Sequence, residues 1–188
     1  MDLRRASHKR NIFYGLILFL LMAGTSQGAQ EEGFPLLESG MEVPGFSLPD
    51  FSGGEFRLSD RLESSDGLLL WFTNLCPGCQ AKLSEMEKIK VHYGEKDVEV
   101  VAVSVLGEDR KPVEEVLEGE KSTLRFLYDP AGEVTRRFSG EYVPGTCPRQ
   151  NIFLIDKEGK ILRAGHYPGV EEKELGDWLD KMAKGAQP

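Results

Sequence analysis

The sequence predicts a single α/β domain with a mixed central sheet and helices on both faces. Three observations predict it. Residues 68–73 (LLLWFT) and 98–106 (VEVVAVSVL) are continuous apolar runs, the pattern of strands buried on both faces. Helical stretches alternate with these runs. A final strand pair, 152–155 and 160–164, is closed by the turn Asp156-Lys157-Glu158-Gly159. The central strands should therefore be parallel and the last hairpin antiparallel.

Each element follows from its residues. Arg4, Arg5, Lys9 and Arg10 precede an apolar stretch at 12–24 and small residues near Gly28–Ala29. That is the layout of a signal peptide over residues 1–29. Thirteen helical residues reach only about 20 Å, short for a bilayer. The alternative is an uncleaved anchor through residues 12–24. No cysteine stands near the cleavage site, which argues against a lipid anchor. Residues 30–40 are polar and turn-rich and read as a linker. One domain is expected over 41–186.

Within that domain, residues 46–60 read as a hairpin turning at Gly53–Gly54. Residues 77–93 carry Leu83, Met86, Ile89 and Tyr93 at near-helical spacing. Residues 110–119 read as a helix with Pro112 in its first turn. A short strand at 124–128 and a short helix at 131–138 follow. A terminal helix at 171–184 turns Leu175, Trp178, Leu179 and Met182 inward.

Charge and cysteine count exclude several classes of function. Removing residues 1–29 leaves 19 Lys+Arg against 30 Asp+Glu, a net charge of −11. Nucleic acid and anionic membranes are poor partners for such a chain; a membrane enters only through an uncleaved leader. The three cysteines, Cys76, Cys79 and Cys147, are too few for a disulfide scaffold, and at least one cannot pair within the chain. Export to an oxidising compartment, the periplasm, would let a disulfide persist.

The chemistry concentrates in WFTNLCPGCQ, residues 71–80. Cys76 follows a buried strand and opens a helix, where N–H groups and the helix dipole favour negative charge. Cys79, one turn on, can close a disulfide with it. Open α/β sheets place their sites at such strand ends. A purely structural disulfide and half a zinc site are the competing readings. Zinc requires about four ligands, and only Cys147, His92 and His166 remain to supply them.

Several motifs together resemble the thioredoxin-like superfamily across most of residues 41–184. They are Gly40, Pro44, Phe46 and Leu48; Arg57-Leu58-Ser59-Asp60; LLLWFTNLCPGC; VEVVAVSV; and IFLIDKEGKI. The chain is most similar to exported TlpA/ResA-like thiol–disulfide oxidoreductases and their AhpC/TSA-type peroxiredoxin relatives. The resemblance implies a three-layer sandwich. It implies Cys76 as the exposed nucleophile, Cys79 as the resolving thiol and a Cys76–Cys79 disulfide. It implies protein thiol or disulfide substrates, a separate redox protein that resets the pair, and no organic cofactor or metal.

This chain departs from that pattern in three places. The tryptophan common before the first cysteine is Leu75. The glutamate and proline of C-x-x-C-x-x-E-x-P are Lys82 and Ser84, and the thioredoxin aspartate corresponds to Leu70. No familiar buried acid is therefore placed to deprotonate Cys79. The cis-proline position falls on Gln150, with Pro148 two residues early; a longer loop would bring Pro148 and Cys147 to the cysteine pair. Cys147 is then either a packed free thiol or a third redox thiol.

Two other functions stay open. Thr73 and Cys76 match the peroxiredoxin T-x-x-C, and Arg149 stands one residue out of that family's register. A thiol peroxidase using Cys76 would need Arg149 at its sulfur. A non-enzymatic metallochaperone or adaptor would instead bring His166 beside both cysteines. Lys82 is either a solvated helix residue or a cation that favours the nearby thiolates.

Overall fold

The computed structural model describes residues 33–119 and 121–184. The expected leader at 1–29 lies outside the described residues. Within the segment read as a linker, Leu37 is buried and its N–H donates to the Phe138 carbonyl (3.1 Å).

Strands β1 (Ser47–Pro49) and β2 (Glu55–Arg57) form the expected antiparallel hairpin. Gly53 supplies its turn with φ +90°, a conformation other residues adopt at a cost. Asp50 ties the turn together. Its Oδ1 accepts from the Ser52 and Gly54 N–H groups (3.0 and 2.7 Å), and its Oδ2 accepts from Arg125 (2.7 Å). The hairpin is thereby pinned to the strand that carries Arg125. A helix, α1 (Leu58–Ser64), follows where the sequence extends the hairpin to residue 60.

Five strands make the central sheet. They are β3 (Gly67–Thr73), β4 (Val98–Ser104), β5 (Arg125–Tyr128), β6 (Ile152–Asp156) and β7 (Ile161–Gly165). Their order is β5-β4-β3-β6-β7; the first three run parallel, and β6 and β7 are antiparallel to their neighbours. Every residue of β3 is buried. Its side chains alternate, with Leu69 and Trp71 in one apolar cluster and Leu68, Leu70 and Phe72 in the other.

Those two clusters define the layers. One is closed by α3 (Leu83–Gly94), α4 (Lys111–Gly119) and α6 (Glu172–Ala183), through Met86, Val113 and Leu179 among others. The opposite cluster is closed by α1, α5 (Glu133–Ser139) and the β1–β2 hairpin, through Leu58, Phe138 and Phe56. This is the predicted mixed sheet with helices on both faces.

The helix expected over 77–93 is broken in two. Short α2 (Pro77–Gln80) ends where the Lys82 N–H turns to the Cys79 carbonyl (3.0 Å), a bond of three residues rather than four. The Met86 N–H then bonds the Lys82 carbonyl (3.0 Å) and α3 proceeds. Among the described residues no helix is long and apolar enough to cross a membrane.

Candidate active site

The site forms where β3 leaves the sheet. Thr73 ends the strand, and Leu75 adopts a left-handed backbone (φ 52°) before Cys76 starts α2. That conformation costs about 1–3 kcal/mol for a residue with a side chain. Three contacts hold it. The Leu75 side chain is buried, its N–H donates to Thr73 Oγ1 (3.0 Å), and its carbonyl accepts from Gln80 Nε2 (2.8 Å). Leu75 is thus an apolar anchor beneath the turn, in the place where the resembling enzymes carry tryptophan.

Asn74 links this turn to a second loop. Its Oδ1 accepts from the Cys76 N–H (3.1 Å), and its Nδ2 donates to the Gly145 carbonyl (3.0 Å). The Gly145 N–H in turn bonds the Val105 carbonyl (2.8 Å). Residues 145–151 arrive here because β6 pairs antiparallel with β3, Trp71 opposite Ile152. The entry to an antiparallel strand lies at the same end as the exit from its neighbour.

Three free thiols converge on this end of the sheet. Cys76 is half-exposed at the start of α2, while Cys79 is fully buried. Cys147 is half-buried and packs against the same apolar cluster as Cys79. The Cys79 thiol points to Asn74 Oδ1 (4.0 Å); the neighbouring Cys147 sulfur, together with burial, pushes the Cys79 thiol well above the ordinary range. The same contact lowers Cys147, against the effect of burial and with help from the Asn151 amide. Of the two thiols, Cys147 is the one shifted toward ionisation and Cys79 the one shifted away from it.

Asn151 is fully buried and fixed on all sides. Its backbone N–H donates to Gly165 O and its carbonyl accepts from the Phe72 N–H (both 2.8 Å). Its Oδ1 accepts from the Tyr167 N–H (2.7 Å), which leaves Nδ2 to donate to Cys147 Sγ (3.0 Å). Because the Tyr167 N–H can only donate, the amide cannot be turned around.

An acid does lie under the site, one helical turn beyond the family position. Glu85 on α3 accepts from Lys82 Nζ (2.7 Å). Its other oxygen and the Tyr167 hydroxyl are both buried without a partner at hydrogen-bond geometry, and the two groups are near enough to influence each other. Burial, then the Glu85 carboxylate, push the Tyr167 phenol far up. The Tyr167 ring stands edge-on to Trp71 (centroids 5.4 Å apart), and Lys82 Nζ lies 5.4 Å from its centre. Lys82 is accordingly an ion-pair partner rather than a solvated residue. Leu70 faces the opposite cluster from Cys79. Glu87 points elsewhere: its carboxylate receives the Thr123 and Leu124 N–H groups (2.7 and 3.0 Å) ahead of β5.

The remaining candidates divide clearly. Pro148 is buried and follows Cys147, and its carbonyl oxygen lies 3.2 Å from His166 Nδ1. No described peptide bond is cis, the bond to Pro148 included. Arg149 is exposed and takes no part in the hydrogen bonds that build the site. The Thr73 hydroxyl is buried, engaged by the Leu75 N–H, and lies against Cys79 rather than open at Cys76. His92 is exposed in the last turn of α3, 3.0 Å from Lys96 Nζ. Among the described residues no group of three or more His, Cys, Asp or Glu is arranged to hold a metal.

Asn74 and Asn151 carry no signal strong enough to pick them out as site residues. Asn two residues before a helix-opening cysteine is an Asx-turn pattern, which marks Asn74 in retrospect. Asn151 simply precedes a strand.

The family model described as the AhpC/TSA family matches residues 39–164. Among similar proteins is thiol-disulfide oxidoreductase ResA of Bacillus cereus, 26% identical over 179 residues, covering 93% of this chain and 98% of that one. Among the solved structures that share the fold are the following two. Peroxidoxin BcpB from Mycobacterium tuberculosis has a TM-score of 0.64 at 24% identity, covering 81% of this chain and 99% of its own. The thioredoxin domain of a thiol-disulfide oxidoreductase from Bacteroides vulgatus has a TM-score of 0.63 at 19% identity, covering 78% and 99%.

Proposed function

The chain belongs to the AhpC/TSA family, and on that footing we propose that this oxidoreductase exchanges disulfides with partner proteins through Cys76 and Cys79, outside the cytoplasm. The observation that carries the reading is the asymmetry of the pair. Cys76 is accessible at the exit of β3, and Cys79 is buried one turn behind it. The ResA relative supports it across nearly the whole chain. The basic and apolar leader at 1–29 supports export.

The cycle balances as follows. The Cys76 thiolate attacks one sulfur of a partner disulfide; that bond breaks, and the other partner sulfur leaves as a thiolate. Cys79 gives up its proton and attacks Cys76 Sγ. The Cys76–Cys79 bond forms, the mixed disulfide breaks, and the partner leaves with both thiols reduced. A dithiol redox protein then resets the pair. Run backwards, the same steps oxidise a partner dithiol.

A peroxidase is less well supported. The Thr73 hydroxyl is engaged by the Leu75 N–H, and the exposed Arg149 enters none of the hydrogen bonds that build the site. Two measurements test the choice. A Cys79→Ser variant should accumulate mixed disulfides on Cys76 with a disulfide-bonded protein substrate, released by dithiothreitol. Reduced wild type should react with that substrate faster than with an equal concentration of hydrogen peroxide. Rapid sulfenylation of Cys76 with no trapped substrate would overturn the assignment.

A further inference from the structure

The two-cysteine cycle leaves Cys147 and Asn151 unused, although they are the most tightly built part of the cleft. Four hydrogen bonds hold Asn151, and one of them is aimed at a sulfur. Asn74 fastens the same loop at Gly145, two residues before Cys147. Cys147 faces Cys79 and shares its apolar surroundings. A packed free thiol needs none of this: sulfur is content against apolar surface. A buried amide donor directed at sulfur is suited to a thiolate.

We propose that Cys147 is a third redox thiol whose disulfide partner is Cys79, giving the protein two oxidised forms, Cys76–Cys79 and Cys79–Cys147. The proposal rests on the reading of Cys76 and Cys79 as a redox pair. The conversion needs no outside oxidant. The Cys147 thiolate attacks Cys79 Sγ in the Cys76–Cys79 form. The Cys79–Cys147 bond forms, the Cys76–Cys79 bond breaks, and Cys76 leaves as a thiolate. The oxidising equivalent stays in the protein and moves inward, while the accessible nucleophile is returned free. Once Cys79 is in the disulfide it has no thiol proton to offer, and the Asn151 Nδ2 donor, 3.0 Å from Cys147 Sγ, is what favours the attacking thiolate.

This arrangement has a functional consequence. An enzyme with only Cys76 and Cys79 loses its nucleophile when oxidised. Here the oxidised protein retains a free, half-exposed Cys76, so it can still open a partner's disulfide and let it re-form elsewhere. The substrate class that requires this is a protein with incorrectly paired disulfides.

Peptide mapping tests the proposal. Full-length protein is reduced, exposed to oxidised glutathione at graded ratios, quenched in acid, alkylated and digested with trypsin. Cys76 and Cys79 lie together in residues 62–82, and Cys147 in residues 138–149. Wild type should yield the internal Cys76–Cys79 bridge and also a cross-link between the two peptides, with the alkyl label on Cys76. A Cys76→Ser variant should convert to the cross-linked form, because Cys79 then has one partner left. A Cys147→Ser variant should give only the internal bridge. Its apparent oxidation constant should fall about twofold where the two forms are equally stable.

A Cys76→Ser variant that never cross-links, while Cys147→Ser closes its bridge normally, overturns the inference and leaves the proposed function standing. A label on Cys79 in the wild-type cross-link overturns it as well. Failure of Cys147→Ser to form any internal bridge would instead strike the proposed function.

Discussion

Replacing Asn151 with leucine should move the ionisation of Cys147 and leave the fold in place. Leucine keeps the branched skeleton and heavy-atom count of asparagine, with somewhat larger terminal groups, but offers neither donor nor acceptor. The Asn151 Nδ2 donor stands 3.0 Å from Cys147 Sγ. A hydrogen bond to a charged group contributes about 1.5–3 kcal/mol. At 1.36 kcal/mol per pH unit, the Cys147 midpoint should rise by about 1–2 units. The neighbouring Cys79 thiol remains and keeps part of the lowering, so the smaller figure is expected. A second consequence is separable. The buried Tyr167 N–H loses its acceptor, which costs about 1–3 kcal/mol of stability. The assay is iodoacetamide labelling resolved by peptide, measured from about pH 5 to 10 alongside urea denaturation. A folded variant whose Cys147 labels with the wild-type pH profile would refute the argument, since the amide would then be holding the loop and not the charge.

Other outcomes follow from the same contacts. Asp50 is held at about 2, below its usual 3.8: burial opposes this, but hydrogen bonds from Ser52 and Gly54 and the Arg125 guanidinium prevail. Its contribution is present above about pH 4 and lost as pH falls toward 2; screened at the rim, it amounts to about 1–2 kcal/mol, and Asp50→Asn should flatten that part of a stability–pH curve. Gly67→Ala would set a methyl 2.9 Å from the Ile155 carbonyl and 2.5 Å from Met182 Sδ, so the β3–α6 contact should be destabilised by about 1–3 kcal/mol in urea titration. Glu87→Ala removes the acceptor for two backbone N–H groups before β5; a loss of about 1–2 kcal/mol is expected, with Cys76 labelling unchanged.

The strands were legible because their burial is written in consecutive residues. Leu68 to Phe72 can satisfy two apolar faces only inside a sheet covered on both sides, and β3 does so. The hairpins were marked by Gly53–Gly54 and by Gly159. The helix break after Gln80 was not legible. Leu83, Met86, Ile89 and Tyr93 establish the period of α3, and nothing in Pro77–Gln80 contradicts its extension backwards. Helix α1 has no signature in the sequence, because seven residues with Leu58 alone buried leave no apolar stripe. Cys76 and Cys79 could be placed from local order. The approach of Cys147 to the pair follows in sequence only from the resemblance and a longer loop; what fixes it, β6 running antiparallel to β3 and Asn74 fastening the 145–151 loop, carries no local signal.

That dependence explains why the site is tolerant of its unusual sequence. The resembling enzymes use a tryptophan, a glutamate and a proline around their cysteines; this chain uses Leu75, Asn74 and Asn151. Leu75 fills the space under the turn and accepts a strained backbone to do so. Asn74 carries the Cys76 N–H and the facing loop on one side chain. Asn151 spends its acceptor on Tyr167 and is left with a donor that only Cys147 receives. Charge at the buried end is then governed by hydrogen bonds to sulfur. Glu85, the nearby acid, is already committed to Lys82 on one oxygen and faces Tyr167 with the other. Cys147, held by Asn151, is therefore the sulfur neighbour that raises the Cys79 thiol, while Asn74 Oδ1 is the acceptor that thiol faces.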